Sequence, residues 1–208
     1  MSSGWTTAVD VVTYACWAIV GAVWVLGALL GRRHGPPAEK AEGNDAASIG
    51  CAIASIAVLV SPHSLWRHLE LHAPALLGTG MVVVVLATAA TVWSRLVLGD
   101  MWSSAAIAKR GHALRTTGPY AITRHPIYTW MLVLLLGSTL SQGLGRWIAL
   151  FVIVAVILTL KARTEERLLR EAFPGEYDRY RERVPALIPL PRRRSAISRA
   201  DDARQPSR

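Results

Sequence analysis

Apolar residues along this chain come in long blocks separated by short polar stretches. The first block covers residues 8–30, "AVDVVTYACWAIVGAVWVLGALL", and stops at "GRRHGPP". The second begins near residue 48 with "SIGCAIASIAVLV" and fades through "SPHSLWRHL". Its strictly apolar part is short, which predicts a span that continues past Pro62 with a kink. The third block, 75–98, is apolar almost throughout. Two more, 127–140 and 147–160, are joined by "SQGLGR" and read as a helical hairpin. Each of this pair has about 14 residues, roughly 21 Å of helix, against a hydrocarbon core about 30 Å thick. They cross a bilayer only with flanking residues such as Tyr128, Trp130 and Arg146 at the interfaces. A hairpin dipping deep into the bilayer is the alternative.

Beyond residue 160 the pattern changes to "KARTEERLLREAFPGEYDRYRERVPALIP". Leu169, Ala172 and Phe173 share one helical face, and Arg163, Glu166 and Arg170 another. "FPG" predicts a stop, after which Tyr177, Tyr180 and Val184 keep helical spacing up to Pro185. The fold class expected is therefore an all-α integral membrane protein. It has about five transmembrane helices, including a C-terminal hairpin, and a cytoplasmic amphipathic helical segment. Three parts follow: N-terminal spans over 1–104, a compact core over 105–190, and a solvated basic tail over 191–208.

Composition agrees with this reading. Of 208 residues, 52% are hydrophobic, and the mean hydropathy is +0.32, high for a soluble domain. A net charge of +9 would suggest nucleic acid in a soluble protein. Here the cations sit in loops and tail, where they set topology and meet anionic lipid, so no nucleic-acid partner is expected. Arg32, Arg33 and Lys40 lie in the first loop, Lys109, Arg110, Arg115 and Arg124 in the third, and Arg163 onward in the tail. With five spans this puts the N-terminus outside and the C-terminus in the cytoplasm. Cys16 and Cys51 read as small core residues. His68 and His72 stand at i,i+4, but an interfacial helix explains them better than a metal site. Asp10 is expected to be solvated at the outer end of the first span, and Arg95 to snorkel to the inner surface.

The loop before the hairpin, "GHALRTTGPYAITRHPIYTW", is richer than a connector needs. Pro126 suits a helix's first turn, and Arg124, His125 and Tyr128 suit an interface. At the other end of the hairpin, Glu165 and Glu166 lie within a turn of the apolar block, where carboxylates are costly unless paired or facing a polar cavity. A hairpin brings its two ends together. His125 and Tyr128 should thus approach Arg163, Glu165 and Glu166 in a polar pocket suited to a ligand carrying a cation.

These residues resemble the isoprenylcysteine carboxyl methyltransferase family, which is related to the membrane phospholipid N-methyltransferases. The resemblance covers about residues 111–189. It is carried by His–x–Leu at 112–114, Gly–x–Tyr at 118–120, Arg–His–Pro–x–Tyr at 124–128, Glu–Glu at 165–166 and Tyr–x–x–Tyr at 177–180. The chain departs from the pattern at Trp130, where many members have a small residue. The resemblance implies binding of S-adenosylmethionine on the cytoplasmic side and methylation of an acceptor that arrives through the bilayer. By motif, His112, Ala113, Leu114, Arg115 and Tyr120 would line the cofactor site. His125, Pro126, Ile127 and Tyr128 would close over it. Glu166, with Glu165 beside it, would hold the cofactor's cationic end, and Arg163 would face the acceptor.

Physical chemistry accommodates that implication. Displacing a methyl group from a sulfonium needs alignment and exclusion of water more than acid–base work. A carboxylate acceptor could be oriented by Arg163. An amine acceptor needs a base, for which Glu165 and His125 are candidates. No Gly-rich dinucleotide turn is present in the sequence. The acceptor is expected to be a lipid or isoprenoid-like molecule, with O-, N- and S-methylation all open. A non-enzymatic transporter or scaffold that keeps the pocket for another ligand is the competing class. A transporter should show an internal repeat, which is not evident.

Overall fold

The computed structural model describes residues 3–34, 45–99 and 114–189. Six α-helices occur among them: α1 Ser3–His34, α2 Asp45–Val60, α3 Pro74–Leu98, α4 Pro126–Ser141, α5 Arg146–Ala172 and α6 Glu176–Arg183. Segments within α1, α3 and α5 are each long and apolar enough to cross a membrane. The helices α2 and α4 are apolar but shorter, at 16 residues each, or about 24 Å. Residues 35–44, 100–113 and 190–208 lie outside the described set, and with them Lys40, Lys109, Arg110 and the basic tail.

Helices α3 and α4 form the centre. Their contact faces carry small residues, which lets two backbones approach closely where lipid supplies no hydrophobic drive between helices. A Cβ added at Gly80 would stand 2.5 Å from the backbone nitrogen of Ser141 and 2.7 Å from the carbonyl oxygen of Gly137. One added at Gly137 would stand 2.9 Å from the backbone nitrogen of Val84. Hydroxyls buried along these faces donate within their own helices: Thr91 donates to Ala87 O at 2.7 Å and Ser138 to Leu134 O at 2.9 Å. Helix α1 closes the bundle, with Cys16 and Val20 packed against Val84, Ala87 and Leu134. Polar contacts fix its register on α4, where Trp17 Nε1 donates to Ser138 Oγ at 3.0 Å and Gln142 to Asp10 Oδ1 at 2.9 Å. Asp10 is thus a helix-docking residue rather than a solvated one.

Two other expectations change, those for Pro62 and Arg95. Helix α2 ends at Val60 instead of continuing past Pro62. Ser61 Oγ donates back to Val58 O, and two 3-10 turns, His63–Leu65 and Arg67–Leu69, follow. Proline at 62 here terminates the element because the next residues have tighter local partners. The last apolar block and the polar "EERLL" stretch are one helix, α5, since no breaker separates Leu160 from Ala172. Pro174 and Gly175, at φ +73°, stop it. Arg95 does not reach the surface. It is 7% exposed, donates to Gly99 O at 3.1 Å, and folds beneath Gly27 of α1, where any Cβ would collide with it.

The hairpin turn between α4 and α5 needs three consecutive residues at positive φ, Gly143, Leu144 and Gly145. It is tied to the α2–α3 connection, with Leu71 N donating to Gly143 O at 2.9 Å and Gly145 N to Leu69 O at 3.2 Å. His63 pairs with Glu70 there at 2.9 Å. Arg146 donates to Leu59 O at 2.9 Å, fixing the end of α2 beside α5.

The close α3–α4 approach makes a contrast of two glycines on one helix informative. Alanine gains about 1 kcal/mol over glycine in a helix, but overpacking costs about 1–3 kcal/mol. Gly80→Ala should lower the melting temperature in detergent, while Gly78→Ala, with nothing within 4 Å, should leave it unchanged or raise it. Equal melting temperatures for the two variants would contradict the packing described.

Candidate functional site

The hairpin's two polar ends meet as the spacing predicts, and the element that organises them is Arg124. Pro126 starts α4, leaving Arg124 and His125 as the last residues of the loop before it. The Arg124 side chain is 3% exposed. Its Nε and Nη2 donate to Glu166 Oε1 at 2.9 and 2.5 Å, and its Nη1 donates to the carbonyls of Arg181 at 3.0 Å and Val184 at 2.7 Å. The backbone supports the same docking. Arg124 N donates to Pro185 O at 2.8 Å, His125 N to Ala186 O at 3.1 Å, and Thr129 Oγ1 to Leu187 O at 2.7 Å. One buried cation thus joins the loop, α5, α6 and the segment after α6.

Adjacent carboxylates on α5 face different surroundings because helix neighbours diverge by about 100°. Glu166 lies among cations, with Arg170 and Arg181 each 3.9 Å from Oε2 in addition to Arg124. Glu165 faces the hairpin, accepting the Tyr128 hydroxyl and standing 3.4 Å from His125 Nδ1. His125 Nε2 lies 3.5 Å from Glu166 Oε1 and is buried without a hydrogen bond. Burial favours the neutral imidazole, but the carboxylates of Glu165 and Glu166 outweigh it and hold the His125 pKa above its ordinary value. The His125 and Tyr128 rings stack with centroids 5.6 Å apart and planes within 8°. Lys161 Nζ stands 5.9 Å from the Tyr128 ring centre, on its way to solvent.

On the other side of the loop, Tyr177, Tyr180 and Val184 form a small core with Leu114, Leu169 and Phe173. Tyr180 donates its hydroxyl to Tyr120 O at 2.6 Å. Burial pushes the Tyr120 and Tyr180 phenols up, so both stay protonated at neutral pH. A cavity of about 330 Å³ lies between the loop and α6, bounded by Leu114, Ala121 and Val184 and by side chains of α6.

Of the residues singled out by motif, the fold brings His125, Tyr128, Glu165 and Glu166 together, with Pro126 and Ile127 buried beneath them. Tyr120 is buried nearby, and Leu114 is half-buried against α6. Arg115 and Arg163 are exposed, and no ion pair joins either to this cluster among the described residues. His112 and Ala113 lie outside the described residues. The motif at 124–128 begins with Arg124, but motif reading gave that residue no part in the site. The signal was a cation two residues before a proline-started helix, with a carboxylate waiting at the far end of the hairpin. Among the described residues no group of three or more His, Cys, Asp or Glu side chains is arranged to hold a metal ion.

Comparison with known proteins gives the family. The profile of the phospholipid methyltransferase family matches residues 73–176. The chain is 33% identical over 135 residues to the cobalt-zinc-cadmium resistance protein CzcN of Cupriavidus metallidurans, covering 64% of this chain and 58% of that protein. It is 32% identical over 132 residues to the nickel-cobalt-cadmium resistance protein NccN of Alcaligenes xylosoxydans xylosoxydans, covering 63% and 57%. It is 33% identical over 97 residues to the protein-S-isoprenylcysteine O-methyltransferase of Schizosaccharomyces pombe, covering 44% and 40%. In each case the match spans less than two thirds of the relative's own length. The profile covers α3, the loop, the hairpin and all of α5, and so both Arg124 and Glu166, and ends where α6 begins. By this match, the chain is an integral membrane protein that belongs to the phospholipid methyltransferase family.

Proposed function

We propose that this chain is a methyltransferase that uses S-adenosylmethionine and takes a lipid or other apolar acceptor from the bilayer. The observation that carries the proposal is the junction itself: a carboxylate, an imidazole and a phenol, Glu165, His125 and Tyr128, gathered where an apolar hairpin meets its polar extension. The family assignment and the similarity to an isoprenylcysteine O-methyltransferase support it.

The donor set suits this cofactor. Glu165 and the Tyr128 ring attract a cation, and the buried His125 Nε2 has an unused hydrogen-bonding capacity. In this reading His112, Ala113, Leu114, Arg115 and Tyr120 line the cofactor site, and His125, Pro126, Ile127 and Tyr128 cover it. Glu165 is the carboxylate that meets positive charge. Glu166, already engaged by Arg124, contributes by fixing α5 against the loop. Bound S-adenosylmethionine would supply a methyl group on a sulfonium. The protein's part is to align the acceptor and exclude water, and the apolar hairpin provides the dry side. Arg163, exposed one turn before Glu166, would orient an acidic acceptor. With an amine acceptor Glu165 is the better base, because His125 is biased towards its protonated form. Phospholipid and other N- or S-methylation on the same site is the alternative within the family. A non-enzymatic transporter or scaffold that keeps the pocket is the alternative outside it.

The membrane arrangement proposed has five crossing elements, with α2 and α4 completed by interfacial flanks. The N-terminus is outside, and the Arg124–Glu166 junction, α6 and the C-terminus are cytoplasmic, following the lysine and arginine distribution.

Three measurements test this reading. By calorimetry in detergent, the wild-type chain should bind S-adenosylmethionine with micromolar affinity, and Tyr128→Ala should weaken it at least tenfold. Absence of wild-type binding, with lipid added, would overturn the assignment. Removing one member of a buried ion pair costs about 3–5 kcal/mol. Arg124→Gln and Glu166→Gln should therefore each lower the melting temperature strongly, and the double variant much less than their sum. Additive effects would sink the junction as described. His125 has a raised folded-state pKa. Its contribution to stability should be complete below about pH 6.5, the unfolded value, and fall as pH rises through the folded value. The wild-type melting temperature should therefore drop on going from pH 6 to pH 9 by more than that of His125→Gln. Parallel profiles would rule out that linkage.

A further inference from the structure

The stretch that follows α6 is short, apolar and docked on the start of α4. Residues 185–191 read "PALIPLP", and Arg192, Arg193 and Arg194 come next in the chain. Pro185 O accepts from Arg124 N at 2.8 Å, Ala186 O from His125 N at 3.1 Å, and Leu187 O from Thr129 Oγ1 at 2.7 Å. Thr129 belongs to the first turn of α4, so Ile188 follows at the level of that turn. Ile188 is 66% exposed. Over residues 114–125 and 173–189, the other large apolar side chain left exposed is Ile122, at 47%.

Single exposed apolar side chains are ordinary on a surface that faces water. The place of Ile188 is what makes it informative. Helix α4 has 16 residues, about 24 Å, against a hydrocarbon layer about 30 Å thick. A helix that short has its ends at or inside the edge of the apolar layer, or draws the layer in to meet them. Either way its first turn stands where acyl chains give way to headgroups, and Ile188 stands there with it. An isoleucine at that depth gains by leaving water for the acyl region. Residues 192–208 then hold six arginines and two aspartates, a balance that favours an anionic surface. An apolar side chain beside a basic cluster supplies the two signals that keep a peripheral segment on an anionic membrane.

We propose that the segment after α6 is an anchor in the leaflet on the site's side, with Ile188 among the acyl chains and Arg192, Arg193 and Arg194 on the phosphates of anionic lipids. Arg124 and His125 take their backbone acceptors from this same segment. Seating it in the leaflet therefore also seats the start of α4 and the cluster of His125, Tyr128 and Glu165. The partner is a bilayer surface rich in anionic phospholipid, and the anchor depends on the membrane setting rather than on the choice of cofactor.

The test uses the full chain in nanodiscs, of phosphatidylcholine alone and of phosphatidylcholine mixed with phosphatidylglycerol. A fluorophore is attached at Ile188→Cys, and for comparison at Glu182→Cys on α6, in a background carrying Cys16→Ala and Cys51→Ala. Quenchers on the acyl chains should dim the probe at 188 in both bilayers and leave the probe at 182 almost unchanged. Adding phosphatidylglycerol should deepen the quenching at 188 by about twofold or more. Arg192→Gln, Arg193→Gln and Arg194→Gln combined should abolish that increase. The unlabelled wild type gives a second readout that no substitution disturbs. Hydrogen exchange at the Arg124 and His125 amides should be slower in the anionic nanodiscs than in the neutral ones, and the triple variant should lose the difference. Equal quenching at 188 and 182 overturns the proposal, as does quenching or exchange that ignores both phosphatidylglycerol and the arginines. Neither readout involves S-adenosylmethionine, so failure here leaves the cofactor assignment standing.

Discussion

A guanidinium that is almost completely removed from solvent has to find partners for its donors, because an unpaired buried charge costs more than folding can spare. Arg124 finds them on two distant stretches of chain: the carboxylate of Glu166 on α5, and the carbonyls of Arg181 and Val184 at the end of α6. That requirement sets where the polar end of α5 sits, how α6 returns to the loop, and how wide the cleft between them is. The stacking of His125 on Tyr128 and the contact of both with Glu165 follow from where Arg124 places the start of α4.

The same constraint separates two carboxylates that are neighbours in sequence. Glu166 turns towards the arginines and is consumed in holding the fold. Glu165 turns towards the hairpin, where its partners are a phenol and an imidazole. A carboxylate among fixed guanidiniums is a poor receptor for another cation, whereas one beside neutral or titratable groups keeps that capacity. Division of labour between the two arises from helix geometry.

Within the apolar part, stability has a different origin. Lipid gives helices no hydrophobic reason to associate, so close packing and internal hydrogen bonds must do so. Gly80 and Gly137 bring α3 and α4 into backbone contact, hydroxyls such as those of Thr91 and Ser138 donate within their own helices, and Trp17 and Gln142 attach α1 to α4. The turn through Gly143 and Gly145, tied to residues 69–71, sets the angle at which α5 leaves the hairpin. Its far end therefore arrives beside Arg124.

Much of this was written in the linear order of residues. Apolar blocks of helical length, punctuated by "GRRHGPP", "SQGLGR" and "FPG", determine an all-helical membrane chain with a C-terminal hairpin, since length and hydropathy are local properties. The meeting of His125 and Tyr128 with Glu165 and Glu166 followed from the hairpin alone. Other features depended on partners that are distant in sequence. Whether Pro62 kinks or ends α2, whether Asp10 and Arg95 find water or protein, and which glutamate is already taken were settled by which backbone passed within reach. The sequence determined the elements and the chemistry at their ends. Only the tertiary structure decided which charges cancel within the fold and which, like Arg163, are left exposed.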